Sequence, residues 1–263
     1  MPIRWLALAA LTLWVTGCWH RPAAVLAPIA TPQLAFDPTL LGKDATGLAA
    51  AAERLCAHLT RPDQKELGFV LARRAYEASP HHVGAALALA HCAAVKAEVE
   101  KDPAMLEAVA QVGLEAARSV GAPDRDARAA YWMALNLGMV IYQRGYAAMP
   151  LLPVEVAALK TAQGAPDLDL GGPLRALGML YLKAPPWPAG PGDLDAALEL
   201  LKTAVDNYPS HPLNHLFYAQ ALRENGDGEA ATAELKRASD LARIELWGDY
   251  AARWQEDIQA AAK

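Results

Sequence analysis

The feature that most constrains the fold of this chain is a sequence echo at a spacing of 34 residues. Eight of the fifteen positions from 192 to 206 are identical to the positions 34 residues further on. A unit of this length is a helix–turn–helix pair, which cannot bury its apolar face alone and must stack on neighbouring pairs. The matching residues are Gly192 and Gly226, Asp193 and Asp227, Ala196 and Ala230, Ala197 and Ala231, Leu201 and Leu235, Lys202 and Lys236, Ala204 and Ala238, and Asp206 and Asp240.

The period is that of the tetratricopeptide repeat, and the composition agrees with an all-helical chain. Of the 263 residues 54% are apolar, only three are Phe, and alanine, the best helix former, is abundant. We predict an all-α, tetratricopeptide-repeat-like helical solenoid with degenerate N-terminal repeats and a C-terminal capping helix. The net charge of -5 disfavours a nucleic-acid partner, because neutralising phosphates requires a basic patch.

Apolar periodicity and proline positions predict where the helices lie. Asp44 or Thr46 is expected to cap the first helix, Asp63 the second, and Asp124 the longest. Ala75 and Pro80 repeat the separation of Ala204 and Pro209, so an early repeat is expected to close in the same way. The predicted helices span about 44–59, 63–80, 83–99, 103–120, 124–144, 153–162, 173–183, 193–208, 212–224, 228–243 and a final helix through 246–258.

The first residues predict secretion and a lipid anchor. Residues 1–17 combine Arg4 with an apolar run that is too short to span a bilayer. The string at 15–18 resembles the bacterial lipobox, in which Cys18 becomes the acylated N-terminus; an ordinary signal or an uncleaved anchor is the alternative. Residues 18–43 are rich in proline and predict a semi-extended tether, which leaves 44–263 as the helical domain. Because residue 19 is Trp rather than Asp, the resemblance implies an outer-membrane location facing the periplasm.

The sequence offers little to support an enzyme. It contains no phosphate-binding glycine loop, no GxSxG elbow and no CxxC pair. His211 and His215 have the spacing of a metal-binding pair, but Pro212 and the lack of a following glutamate favour a structural role. We therefore predict no catalytic residues, no metal and no cofactor.

Two further cysteines lie in the predicted helical domain. Cys56 and Cys92 fall on the first and third predicted helices, which a solenoid packs side by side. In an oxidising compartment they form either a disulfide or two buried free thiols.

Two sets of aromatic residues are candidates for partner contact. Trp187 lies in a proline-rich insertion, 184–192, where it either plugs a gap between helices or contacts a partner. Trp247, Tyr250 and Trp254 form a stripe at helical spacing, which either caps the last repeat or forms an oligomer or partner surface.

The segment from about 174 to 240 resembles the T-component lipoproteins of tripartite ATP-independent periplasmic (TRAP) transporters. The resemblance rests on an apolar helix at 177–185, the Gly-Pro-Gly-Asp-Leu string at 190–194, and Asn-His-Leu at 214–216; the residues around 131–138 are also similar. It implies an acylated periplasmic protein of cryptic repeats that pairs with a solute-binding protein. In some members it also implies a homotrimer enclosing an apolar channel for small organic ligands.

The sequence thus predicts a non-enzymatic, lipid-anchored periplasmic protein that docks a periplasmic solute-binding protein as a transport accessory. The alternative is a general repeat scaffold for envelope or secretion-complex assembly.

Overall fold

The computed structural model describes residues 44–57, 62–121 and 123–263 of the chain. The predicted signal peptide 1–17, the acylation site Cys18 and the tether 18–43 lie outside the described residues. None of the helices in the described part is long and apolar enough to cross a membrane.

The described residues form helices in a regular order. A short 3-10 helix, Gly145–Leu151, precedes α6. The α-helices are α1 Ala45–Leu55, α2 Pro62–Ala78, α3 Val83–Val99, α4 Pro103–Ser119, α5 Ala127–Arg144, α6 Leu152–Ala162, α7 Gly172–Lys183, α8 Leu194–Asn207, α9 Pro212–Glu224, α10 Gly228–Leu241, α11 Ile244–Trp247 and α12 Tyr250–Ala261.

Consecutive helices pack as pairs, and the pairs stack. The pairs are α1/α2, α3/α4, α5/α6, α7/α8 and α9/α10, and the first helices of neighbouring pairs also touch, α1 with α3, α3 with α5 and α7 with α9. This helical-repeat arrangement confirms the predicted all-α, tetratricopeptide-repeat-like solenoid. The pairs α5/α6 and α7/α8 meet differently, through α6 and α7.

Small side chains allow the helices to approach closely. Ala88, Ala90 and Ala93 in α3 are completely buried between its neighbours. At Gly178 in α7 an added Cβ would lie 2.6 Å from Cγ of Leu201 in α8, so this crossing requires glycine. The many alanines and few phenylalanines therefore reflect a core built on short interhelical distances.

The helix starts correct several predicted caps. The carboxylate of Asp44 accepts a hydrogen bond from the Gly47 amide at 2.8 Å, so Asp44 rather than Thr46 caps α1. Helix α5 is capped by Asp126, which accepts from the Ala129 amide, and not by Asp124. Because α2 begins at Pro62, Asp63 lies inside the first turn. An N-cap side chain accepts from the backbone amide two or three residues after it. This spacing determines which of two nearby aspartates caps the helix.

The predicted single final helix is wrong, because the chain breaks at Gly248. This residue has a φ of 54°, in the left-handed region that favours glycine, and its amide donates to the Ile244 carbonyl at 2.8 Å. Helix α12 then packs on α9 and α10. It also reaches the first pairs, since Arg253 donates to the Glu98 carbonyl at the end of α3.

Candidate functional site

The connection between α7 and α8 is the first candidate for a contact site. Ten residues, 184–193, join these two helices, whereas three residues, 225–227, join α9 to α10 at the equivalent point of the next pair. The Trp187 side chain is 85% exposed at this connection. The indole therefore lies in water next to several prolines and is not part of the core.

The backbone of this connection is closed by its own hydrogen bonds. The Gly192 amide donates to the Pro185 carbonyl at 2.8 Å, and the Asp193 amide donates to the Tyr181 carbonyl at 3.0 Å. At Gly192 an added Cβ would lie 2.2 Å from the Ala184 carbonyl oxygen, so the closure needs glycine. Asp193 then caps α8 by accepting from the Ala196 amide. The connection is therefore a fixed platform and Trp187 projects from it.

This geometry decides between the two roles considered for Trp187. A tryptophan that plugs a gap between helices is buried, so the gap-filling interpretation is wrong. The turn needs no side chain to fill it, because backbone contacts already close it. The role of partner contact is compatible with the exposure of the side chain and stays a prediction.

The C-terminal aromatic stripe has the opposite surroundings. Trp247, Tyr250 and Trp254 are all buried, with Trp254 only 2% exposed. The His211 ring lies 4.7 Å from the Trp247 ring and 5.4 Å from the Trp254 ring, measured between centroids. The proposal that these three residues form a partner surface is therefore wrong for this structure, since they pack inside the cap of the last repeat.

The cap also touches the N-terminal pairs. The Lys65 ammonium in α2 lies 3.8 Å from the centroid of the Tyr250 ring in α12. Burial lowers the pKa of Lys65, and the nearby carboxylates of Asp249 and Glu98 oppose that shift. Burial likewise raises the pKa of the Tyr250 hydroxyl. These buried polar contacts join α12 to the N-terminal helix pairs and so stabilise the fold.

A cavity of about 300 Å³ is lined by apolar side chains and three carboxylates. Each carboxylate has a partner: Tyr208 donates to Asp167 at 2.7 Å, Arg175 pairs with Asp169 at 2.5 Å, and Arg253 lies 3.8 Å from Glu98. The lining residues include Ala94, Val95, Trp132, Leu135, Met139, Leu170, Glu98, Asp167 and Asp169.

One wall of this cavity is a stacked histidine and tryptophan. The rings of His91 and Trp132 have centroids 4.3 Å apart and planes 18° apart. His91 Nδ1 lies 2.7 Å from a carboxylate oxygen of Glu53, which also pairs with Arg128. Although burial raises the pKa of Glu53, its hydrogen bond to His91 and the charges of His91 and Arg128 lower it below the ordinary value. The arrangement fixes the ring but places no nucleophile beside it.

A buried polar network around Asp169, one of the cavity-lining residues, ties three helix pairs together. The Tyr131 hydroxyl in α5 donates to Asp169 at 3.0 Å, and Arg175 in α7 holds the same carboxylate. Arg175 also donates to Oδ1 of Asn214 in α9 at 2.8 Å, and the Asn214 amide group donates to the Tyr208 carbonyl. Burial, followed by the charge of Asp169, raises the pKa of Tyr131. The network fixes the segment before α7 against its neighbours.

That segment has an unusual backbone. Asp169, Leu170 and Gly171 have φ values of 50°, 49° and 88°, so three consecutive residues are left-handed. For Asp169 and Leu170 this conformation costs on the order of 1 kcal/mol or more each. The carbonyl of Leu170 accepts from Asn214 at 3.1 Å, so the same polar network also holds the strained turn.

The two cysteines of the helical domain meet between α1 and α3. Their sulfurs lie 2.08 Å apart and their Cα atoms 5.5 Å apart, a separation that a disulfide accepts. Both side chains are buried, and at Gly68 in α2 an added Cβ would lie 2.6 Å from the Cys56 sulfur. The geometry is that of a bridge joining the first two pairs rather than two free thiols. Peptide mapping without reduction tests whether the bridge forms in the cell.

The histidines single out no metal site in the described part of the chain, where groups of three or more metal-ligating side chains are not found. His211 caps α9, its Nδ1 accepting from the Leu213 amide at 3.2 Å. His215 Nδ1 lies 2.6 Å from Glu234 in α10, and its Nε2 lies 2.8 Å from the Pro209 carbonyl. His211 therefore caps α9, and His215 joins α9 to α10.

Sequence reasoning missed a second exposed aromatic site. Tyr142, in the last turn of α5, is 81% exposed, and Tyr146, in the following 3-10 helix, is 91% exposed. The available signal was two tyrosines four residues apart, ahead of Pro150 and in a stretch without charged residues from 145 to 151.

Comparison with known proteins agrees with this architecture. A family model described as Tetratricopeptide repeat matches residues 189–244, which contain α8, α9 and α10. No curated protein matches the sequence. The match and the stacked helix pairs support a tetratricopeptide-repeat protein, a class that presents surfaces to protein partners and is generally not enzymatic.

Proposed function

We propose that this chain is a lipid-anchored protein of the bacterial envelope that docks a periplasmic solute-binding protein as an accessory to transport. The fold supports the coarser part of this function, since helical repeats are interaction scaffolds. The finer part rests on the lipobox at Cys18 and on the similarity of residues 174–240 to TRAP T-components. In this role the acyl chains fix the location, outer membrane facing the periplasm, while the tether and the repeat body present the docking surface.

The observation that carries the proposal is the exposure of Trp187 on a closed, backbone-bonded platform. Binding a partner there immobilises little that is free beforehand, because the backbone of the connection is already fixed. An exposed tryptophan is also the side chain that most often dominates a protein interface. This connection also lies within the segment that resembles the transporter family.

The test is affinity capture of the full-length acylated chain from a detergent extract of its own membranes. We expect the wild-type chain to enrich a periplasmic solute-binding protein and Trp187→Ala to lose that enrichment. The matched control is Ile244→Ala, which removes another exposed apolar side chain on a different part of the surface. Recovery of envelope-assembly or secretion proteins in place of a solute-binding protein would refute transport and support the scaffold alternative.

The anchor and the assembly state have separate tests. Cys18→Ala should release the chain from the membrane fraction, because a multiply acylated cysteine attaches far more firmly than the helical body. Unchanged membrane association in that variant would contradict lipid anchoring. Sedimentation of the detergent-solubilised protein distinguishes a homotrimer, which the family resemblance implies, from a single chain.

A further inference from the structure

The cavity described above forms where distant parts of the chain meet. Its described walls come from the residues that end α1, from α3 and α5, and from the turn at 167–170. Its volume of about 300 Å³ is at the lower end of the range found for small-molecule sites. Asp167 and Leu170 line the cavity and are both exposed, so it meets solvent at this turn. A small molecule therefore fits this space and has a way in.

One wall of the cavity offers an aromatic face in a fixed position. The His91 and Trp132 rings are stacked, with centroids 4.3 Å apart, and Glu53 holds the His91 ring at 2.7 Å. The lining also includes the apolar side chains of Leu135 and Met139, which are only partly buried. Aromatic and apolar side chains in this arrangement favour a ligand with a compact apolar body.

The same wall contains a hydrogen-bond donor that the described residues do not use. Trp132 is 8% exposed, and its indole N–H is buried without a hydrogen-bond partner among them. Folded proteins usually pair such donors, because a buried N–H loses its hydrogen bond to water and gains nothing if it stays unpaired. This donor belongs to a cavity-lining residue, and it points to an occupant independently of the charge of the site.

The charged side chains that line the cavity in the described structure are three carboxylates. Two of them, Glu98 and Asp169, lie near arginines. The third, Asp167, accepts a hydrogen bond from the Tyr208 hydroxyl at 2.7 Å. This hydrogen bond raises the pKa of Tyr208, so the hydroxyl keeps its proton at neutral pH and does not offset the charge of Asp167. Among the described side chains, this end of the cavity therefore carries an excess of negative charge.

Two neighbouring tyrosines respond to the same charge. Burial is the main cause that raises the pKa of Tyr131 and of Tyr250, and the charges of Asp169 and Glu98 raise both values further. The electrostatic field at this end of the cavity therefore favours a cation over an anion. A ligand carboxylate would face three carboxylates of the protein, so an organic acid is excluded.

We infer that the cavity is a binding site for a small organic cation, a protonated amine that carries a compact aromatic or apolar body. The body packs on the face formed by His91, Trp132 and Met139, and the ammonium group lies toward Asp167 and supplies its counter-charge. An aromatic face and a carboxylate both attract an ammonium group, so one ligand satisfies both walls. The site lies within one chain and needs neither a docked protein nor a second copy, so it goes beyond the proposed function.

The test compares three probes of similar shape and different charge, namely phenethylamine, phenethyl alcohol and phenylacetate. Each probe is equilibrated by dialysis against the full acylated chain in a non-ionic detergent, with the detergent alone as the blank. We expect phenethylamine to bind about tenfold more tightly than phenethyl alcohol, because a charge-assisted contact replaces a neutral one. Phenylacetate should show no binding above the blank.

Three outcomes would overturn the inference. They are equal affinities for the amine and the alcohol, binding of phenylacetate, and no binding of the amine above the detergent blank. None of these outcomes bears on the capture of a solute-binding protein through Trp187, so the inference and the proposed function fail or stand separately.

Variants locate the bound amine. Asp167→Asn keeps an acceptor for Tyr208 but removes the charge, so it should weaken amine binding about tenfold and leave alcohol binding almost unchanged. Met139→Ala removes part of the apolar wall and should weaken the binding of both probes. The matched control is Asp195→Asn, at an exposed aspartate of α8, which should change neither affinity.

The thermal midpoint of each variant shows whether the folded body is intact. Asp167 is exposed, so its replacement leaves the core untouched. An amine affinity for Asp167→Asn equal to that of the wild type would contradict the contact between the ammonium group and this carboxylate. An equal loss of amine and alcohol binding in that variant would show that Asp167 only shapes the turn, and it would overturn the charge-based recognition.

Discussion

The neighbouring helix pairs α5/α6 and α7/α8 carry the same three-residue sequence where their two helices cross, but a different side chain lies against its glycine in each pair. Helix α5 carries Leu-Gly-Met at 137–139, and α7 carries it again at 177–179. An added Cβ at Gly138 would lie 2.6 Å from a carboxylate oxygen of Glu155. At Gly178 it would lie the same distance from Cγ of Leu201. The glycine admits a carboxyl group in one pair and a leucine in the next.

The comparison shows that the repeat fixes how closely two helices approach, but not what occupies the space between them. Leu201 gains from removal of its apolar surface from water at any pH. Glu155 is partly buried, and burial raises its pKa to about 7. We therefore expect the stability of the α5/α6 crossing to depend on pH and that of the α7/α8 crossing not to.

The largest expected effect comes from breaking the link between the two pairs. Arg175→Ala removes the cation that holds Asp169, which Tyr131 of α5 also contacts. A buried carboxylate left without its partner costs about 3–5 kcal/mol in the free energy of unfolding. Urea denaturation measures this loss. Lys202→Ala, which breaks an exposed ion pair with Asp206 in α8, should leave the midpoint unchanged. Similar midpoints for both variants would show that the pairs are not joined through Arg175.

Emptying the apolar crossing is the next largest change. Leu201→Ala deletes a completely buried side chain, so unfolding should become easier by about 2–4 kcal/mol. The loss should be the same at pH 5 and pH 8. Leu235, 34 residues further on and also buried, is the matched position, and Leu235→Ala should give a loss of similar size. A strong pH dependence for Leu201→Ala would refute the difference between the two crossings.

Local patterns were sufficient to predict most of the helices. Proline at 103, 173 and 212 and aspartate at 44 and 193 act within one turn, so these helix starts follow from neighbouring residues. The placement of the Trp187 insertion outside the helices follows equally from its prolines. The break at Gly248 was missed, since a single glycine within an apolar stripe is a weak signal.

The site depends on contacts between distant parts of the chain, and these could not be predicted. Trp254 has the same apolar periodicity whether it faces a partner or a core; the choice depends on α12 packing against α9, α10 and the N-terminal pairs. Likewise, Tyr142 continues the pattern of α5 but lies beyond the cover of the next helix. Burial is decided by which helices lie opposite, and local sequence does not contain that information.

Glu155→Gln tests the polar crossing. A carboxyl whose pKa is raised in the folded state is most favourable to folding below its unfolded pKa, near the ordinary value of 4.5, and this contribution is lost as pH rises through about 7. Glutamine has no proton to lose, so the variant should gain about 2 kcal/mol over the wild type on going from pH 5 to pH 8. Parallel stability profiles of the two proteins over that range would contradict a buried, protonated Glu155.

The smallest expected effects on stability are at the two long turns. Trp187→Ala and Tyr146→Ala remove side chains that are 85% and 91% exposed, so each should change the free energy of unfolding by no more than about 0.5 kcal/mol. Trp254→Ala, the buried counterpart, should cost about 3–5 kcal/mol. Denaturation of the three variants alongside the capture assay distinguishes residues that act at the surface from residues that stabilise the core.

A large destabilisation by Trp187→Ala would mean that the indole supports the turn, and its exposure would then no longer be evidence for docking. If Trp187→Ala leaves the free energy of unfolding almost unchanged but abolishes capture, the turn contributes to binding while the helix crossings stabilise the fold.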